Sequence, residues 1–357
     1  MRQTSILTIA LFFFMFQIEA QDTFFKIFNS DYFDQSFDAI ETLNGDFLII
    51  GERALSYLQL QDTTYGYILK ITPDGSFIED TNIGIAGEWT HFSFIQDLPN
   101  TPYQYIIGGW ILDLTQDTVF NRITLHIINN NLEIQSQTTF YAPPNFIYRP
   151  WKAEIIFDSL LYILSHYYPP NSNTQIAISK FRLPFDSIAS YHSPAISIHS
   201  PYDLLYINPD SMFKVFYIGP LLSESSPSKI LQLDIDVNYL ATIEGPPYIL
   251  TSICATHYND SSFLLTGSGT SPSTTAKQHI IMYLMNNNND TLKKVEYFND
   301  PDTILYAGGG TNTVINGESI FITGIYNFDP SSYPWQTTPT WIQVTRTDMD
   351  LNIISHH

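Results

Sequence analysis

The chain has 357 residues, with 35 acidic against 15 basic side chains and a formal net charge of −20. Its lysines and arginines are scattered singly, which excludes nucleic acid and anionic membrane surfaces as partners, because both demand clustered cations to neutralise phosphate. The one cysteine, Cys254, excludes an internal disulfide, and 21 prolines argue against long helices, so stability must come from packed β-structure.

In chain order, the first element is a leader. Arg2 supplies a positive charge, Ile6 to Phe16 form an apolar run and Ala20 offers a small residue for cleavage, the layout of a secretory signal peptide over residues 1–20. The alternative, a membrane anchor, needs ~20 apolar residues, and this run has eleven. No later stretch is long and apolar enough to span a bilayer. The expectation is therefore one exported, soluble domain over 21–357, not inserted in a membrane after cleavage.

From there a single pattern recurs: an apolar β-type run that stops at a small residue. It ends at Gly51, Gly108, Ser165, Gly219, Gly267 and Gly324, at intervals of 57, 57, 54, 48 and 57 residues. Self-similarity at such a period is the mark of a repeat architecture. Ahead of each run lies another β-like segment, near Asp38, His91, Lys152, Asp203, Ser252 and Asn312. Behind it comes a strand closing in a turn rich in Asp, Asn or Gly, such as Asp74-Gly75 or Asn130-Asn131, then a shorter outward strand.

Each unit thus reads as four antiparallel strands, and one such sheet cannot bury both of its faces. The expected fold is all-β, a six-bladed β-propeller of four-stranded antiparallel blades, with seven blades as the alternative. The 25 Phe and 23 Tyr suit the wedges between blades. Phe24 to Phe28 (FFKIF) is expected to supply the outermost strand of the last blade. The competing candidate for that place is LNIIS, Leu351 to Ser355.

The stretches NGDFLIIGE and YGYILKITPDGSFI, residues 44–52 and 65–78, resemble the repeat of secreted propellers from Bacteroidetes-type bacteria. The resemblance covers nearly all of the mature chain, clearest over Asp38 to Ile78 and degenerate in the third and fourth repeats, where Ser165 replaces the glycine and Pro184-Phe185-Asp186 the turn. It implies export and brings no catalytic residues. Such proteins often end in a sorting domain for type IX secretion, absent from this sequence, which stops at His357. The expected location is extracellular, or periplasmic without that domain.

Catalytic signatures are missing. Gly308-Gly309-Gly310 lacks the Gly-Lys-Ser/Thr of a phosphate loop, and the nine histidines never form HExxH, so no metal site is expected. Asp234, Asp236, Asn238 and Asp348, Asp350, Asn352 resemble the start of a calcium loop, but they lack its later glycine and glutamate. They are read as turn formers, with a weak structural calcium site as the alternative and no other cofactor. Cys254, in an apolar strand, is read as a small buried hydrophobe.

Ligand pockets favour concave mouths, so the starts of the inner strands give the candidate binding residues: Asp38, His91, Trp151, Lys152, Asp203 and Asn312. Trp, His and acid together suit a sugar or peptide. The function expected from repeats without a reactive constellation is a non-catalytic binding or scaffold module at the cell envelope, with a protein or glycan ligand. The alternative is a carbohydrate-active or other hydrolase with carboxylates over the central channel.

Overall fold

A computed structural model describes residues 33–54, 63–113, 120–142, 146–170, 174–193, 200–208, 210–219, 228–269, 279–297, 304–306, 313–327 and 341–356. The leader, Phe24 to Phe28, Gly308 to Gly310 and Asn312 lie outside these residues. Among the described residues every regular element is a strand, and no helix is long and apolar enough to cross a membrane.

Among the described residues the strands fall into six units, five of four strands and one of five, two of which share a place. The first holds β1 (Phe33–Glu41), β2 (Phe47–Ala54), β3 (Thr64–Ile71) and β4 (Phe77–Ile83); the second β5 (Glu88–Asp97), β6 (Gln104–Asp113), β7 (Phe120–Asn129) and β8 (Ile134–Tyr141). A single parallel pair, Thr64 with Trp89, bridges these two. The third holds β9 (Ile147–Ile156), β10 (Leu160–Tyr168), β11 (Gln175–Arg182) and β12 (Asp186–His192); the fourth β13 (Ser200–Ile207), β14 (Met212–Ile218), β15 (Ser228–Asp234) and β16 (Tyr239–Glu244). The fifth holds β17 (Ile249–Asn259), β18 (Ser262–Gly269), β19 (His279–Asn286) and β20 (Thr291–Tyr297). In the sixth, β21 (Ile304–Tyr306) and β22 (Thr313–Asn316) share the inner edge of β23 (Ser319–Asn327), followed by β24 (Trp341–Asp348) and β25 (Ile353–His356). Each unit is an antiparallel meander, and together they are the blades of a β-propeller.

The outer place in the sixth sheet belongs to Ile353–His356, which pairs with β24. The competing candidate from the C-terminal segment is thus paired in that sheet, while Phe24–Phe28 lies outside the described residues.

Burial explains the strand sequences. Middle strands are covered on both faces, so they read as unbroken apolar runs such as LLYIL in β10. Outer strands such as β4 and β8 are largely exposed and polar. Five apolar clusters fill the gaps between successive sheets: Leu48 and Ile50 meet Phe92 and Tyr105, Leu125 meets Leu161, Tyr162 meets Phe213, Phe216 meets Phe263, and Leu264 meets Ile320. Aromatic side chains are the largest fully buried groups, as the wedge between twisted sheets requires.

The small-residue stops have a steric cause. A Cβ on Gly108 would lie 2.0 Å from the Phe94 ring, and one on Gly51 would lie 1.9 Å from the Gln35 carbonyl oxygen, where β1 bulges between Ser36 and Asp38. Most inner strands carry a bulge at this level. It turns the following residue toward the neighbouring sheets.

The turn between third and fourth strands is also shared. In Asp234-Ile235-Asp236-Val237-Asn238 the Asp234 carboxylate accepts the N–H groups of Asp236 and Asn238, and Asp348 takes the same role toward Asn352. Asn129 and Asn286 do likewise. The fourth residue of each turn has positive φ, and at Leu132, Val237 and Leu351 that strain accompanies burial of the side chain.

A cation does meet these turns, and it is a lysine of the preceding sheet. Lys70 donates to the Asn130 carbonyl (2.8 Å), Lys180 to the Ile235 carbonyl (2.9 Å) and the Asp236 carboxylate (2.8 Å), and Lys293 to the Asp350 carbonyl. Lys214 and the hydroxyls of Tyr162, Tyr258 and Tyr297 grip the following turn in the same sense. The calcium-like spelling thus builds an Asx turn whose oxygens face an ammonium group.

Candidate functional site

The inner strands carry charge into the centre of the ring. Lys152 on β9 interacts with Asp203 on β13, Asp38 on β1, Cys254 on β17 and Glu154 on its own strand. The first and fifth sheets do not adjoin the third, so side chains from all three meet only by pointing at a common bore. Asp38, Lys152 and Glu154 keep part of their surface open, whereas Asp203 and Cys254 are each 6% exposed.

Asp38 and Asp203 are held alike. One oxygen of Asp38 accepts the N–H of Ala39 (3.0 Å) and the other that of Ile95 in the next sheet (3.1 Å). One oxygen of Asp203 accepts from Leu204 (2.8 Å), the other from Ala255 in the next sheet (2.7 Å). Each carboxylate clips its strand to the following blade, and the bulge before it supplies the geometry.

Burial pushes both carboxyls up, against the pull of Lys152 and these donors. Burial alone would lower Lys152, but Asp203 and Asp38 lift it above its ordinary value. Burial, then the charge of Asp203, push Glu154 up to about 8 despite Lys152. The bore therefore holds Glu154, displaced to about 8, beside an ammonium group and two further carboxyls that burial also pushes up. Burial drives the Cys254 thiol up to about 11, so it stays protonated and inert.

Above the bore, where inner strands begin and second strands end, lies a mouth of rings. Glu52, 5% exposed, accepts hydrogen bonds from the Trp89 indole (2.8 Å) and pairs with His91 Nδ1 (2.9 Å). The His91 ring stacks on Trp110, with centroids 5.0 Å apart, and touches Phe37 at 4.1 Å. Trp89 meets Trp110 at 5.2 Å. Across the gap to the third sheet, Arg149 lies over Trp110 and over Tyr168, while Trp151 packs beside His166. Aromatic faces with a few fixed polar groups are what a sugar ring requires of a surface.

Of the six residues expected at the channel, Asp38, Lys152 and Asp203 converge in the bore. His91 and Trp151 belong to the mouth, and Asn312 lies outside the described residues. The sequence reading missed Glu154, Glu52, Trp89, Trp110 and Arg149. Two signals pointed to some of them: Glu154 shares the face of Lys152 by strand alternation, and Glu52 directly follows the small-residue stop of its second strand, as His166 does, while Trp110 lies two residues beyond Gly108.

A separate cavity of about 430 Å³ opens at the opposite end, between the fourth and fifth sheets, lined by residues including Asn208, His257, Asp260 and Asn287. Asp260 is its one acid, so it offers no carboxyl pair. Among the described residues no three His, Cys, Asp or Glu side chains are grouped to hold a metal.

No known protein family matches the sequence, and no curated protein does. Solved structures do match the fold. The GH93 α-L-arabinofuranosidase of Fusarium graminearum, solved with arabinobiose, aligns with a TM-score of 0.57 at 10% identity, over 90% of this chain and 99% of that one. The α-L-arabinanase of Penicillium chrysogenum, also solved with arabinobiose, gives 0.52 at 12% identity over 90% and 96%. A protein of unknown function from Dyadobacter fermentans gives 0.55 at 10% identity over 88% and 95%. At such identities the likeness establishes the propeller fold. The expectation of a non-catalytic binding or scaffold module is corrected: the structural neighbours are mainly propeller glycoside hydrolases, which favours the hydrolase alternative.

Proposed function

We propose that this chain is a carbohydrate-active hydrolase whose site lies in and over the central bore. One observation carries the reading: carboxyl groups from the first, third and fourth sheets meet around Lys152, and one of them, Glu154, holds its proton at neutral pH.

Glycoside hydrolysis needs an acid to protonate the leaving oxygen and a carboxylate on the other side of the sugar. Glu154 fills the first role. Asp38 fills the second, because it keeps surface open to the bore, whereas Asp203 is enclosed. Lys152 pulls against the burial that raises Asp38, and Asp203 holds the inner strands in place. The half-buried rings of Trp89 and Trp151 position the glycan. The substrate is a glycan met outside the cytoplasm, as the apolar leader implies.

The test is release of reducing sugar from arabinan and a panel of other polysaccharides. Turnover of one of them that drops by about two orders of magnitude or more in Glu154→Gln and Asp38→Asn supports the assignment. Undiminished turnover in those variants, or none on any glycan by the intact protein, overturns it.

A further inference from the structure

The cavity between the fourth and fifth sheets lies at the end of the ring away from the mouth, and the turns around it fix which polar atoms it offers. Asn259 Oδ1 accepts from the Ser261 N–H (2.9 Å) and from the hydroxyls of Ser261 (3.0 Å) and Ser262 (2.8 Å), which leaves Nδ2 as a donor. Asn287 is oriented the other way: its Nδ2 donates to the Asp260 carbonyl (3.0 Å), which leaves Oδ1 as an acceptor. One ring nitrogen of His257 donates to the Tyr206 carbonyl, and burial lowers its pKa, so the ring is neutral and the other nitrogen accepts. The side chains of Asn208 and Asp260 are exposed and make no hydrogen bond among the described residues.

Size and charge narrow what fits. Ligand pockets run from about 300 to 1,000 Å³, and this one, at about 430 Å³, takes a small molecule. Asp260 and the net charge of −20 disfavour an anion. A cation would find one carboxylate and, behind the lining, the Lys214 ammonium group 2.6 Å from the Asn287 carbonyl. What remains is a neutral molecule that both donates and accepts at several points, as each hydroxyl of a sugar does. Ile207 adds apolar surface for the carbon skeleton.

We propose that this cavity is a second saccharide site, which holds a neutral mono- or disaccharide unit and, with a single acid, does not cleave it. The site goes beyond the hydrolase reading and does not depend on it.

The experiment titrates the full chain, carrying Glu154→Gln so that no sugar is consumed, with arabinobiose, cellobiose and lactose, and with glucosamine and glucuronate as charged comparisons, by isothermal calorimetry. At least one neutral disaccharide should bind, and more tightly than either charged sugar. Asp260→Ala should weaken that binding about tenfold, the size of one hydrogen bond to a charged group. Asn208→Trp, which fills the cavity and removes no hydrogen bond, should abolish it with the near-ultraviolet circular dichroism unchanged. With Glu154 intact, Asn208→Trp should leave hydrolysis in the bore at its full rate. Binding that survives both substitutions sits elsewhere and overturns the site, as does binding of no neutral disaccharide or tighter binding of a charged sugar. Absence of turnover in the unaltered protein removes the bore reading alone, and disaccharide binding lost in the two variants still supports this site.

Discussion

Lys214 Nζ lies 2.6 Å from the carbonyl oxygen of Asn287, across the gap between the fourth and fifth sheets. It also reaches Asn289 Oδ1 at 2.6 Å, and the side chain is fully buried. Burial lowers this lysine from 10.5 to about 8. Between those values the unfolded chain binds the proton that the folded chain has lost, so stability should rise with pH from about 8 to 10.5. Urea unfolding across that range should show the slope, and Lys214→Met should flatten it.

Asp203 and Asp38 make the same pair of contacts, but their surroundings differ. Asp203→Ala should cost about 3–5 kcal/mol, because it strands Lys152 and orphans the N–H groups of Leu204 and Ala255 out of reach of water. Asp38→Ala should cost less, because its position is open to the bore. Equal losses in denaturant titrations would contradict the enclosed placement of Asp203.

His126 is 1% exposed, and burial lowers it from 6.5 to about 4. Here the native state keeps the ring neutral while the unfolded chain protonates. Stability on this account should fall as pH drops from 6.5 to about 4. His126→Phe, next to Phe92, should reduce the acid sensitivity in thermal melts between pH 7 and 4.

Glu154 carries the opposite sign. Its folded value of about 8 against an ordinary 4.5 means that the native state binds the extra proton, so its contribution worsens as pH rises through that window. Glu154→Gln should therefore raise stability at neutral pH, on the order of 2 kcal/mol, while abolishing hydrolysis. In the unaltered protein kcat/KM should fall above an apparent pKa of about 8. A stability loss in Glu154→Gln would remove the protonated-acid assignment.

Gly108→Ala should be among the most damaging single-methyl changes, since its Cβ would overlap the Phe94 ring. Gly219→Ala should be nearly neutral, because the nearest atom a Cβ there would meet is the flexible Lys229 side chain at 3.5 Å. Midpoints of chemical unfolding compare the two directly.

That contrast shows how much was legible in the sequence. The repeat was readable because one steric demand, a bulged inner strand pressing on the second, selects small residues at Gly51 and Gly108. The spelling persists at Gly219 although the demand does not. The turns were readable as turns through Asp234 and Asp348, but the ammonium that meets them comes from a different sheet, and no local pattern announces it. Asp38, Lys152 and Asp203 were found because they begin inner strands. Arg149 and Glu52 were not, because their roles depend on which blades face each other at the mouth, a relation between residues far apart in sequence.

Lys70, Lys180, Lys214 and Lys293 reach forward, from one sheet into the turn of the next. A unit cut out with its neighbours' spacing intact would carry a prong on one side and a socket on the other. Such joints close four seams, while the second sheet lends the third no lysine and the third offers Pro184-Phe185-Asp186 in place of the socket, so the ring is held by a repeated fitting that one seam does without.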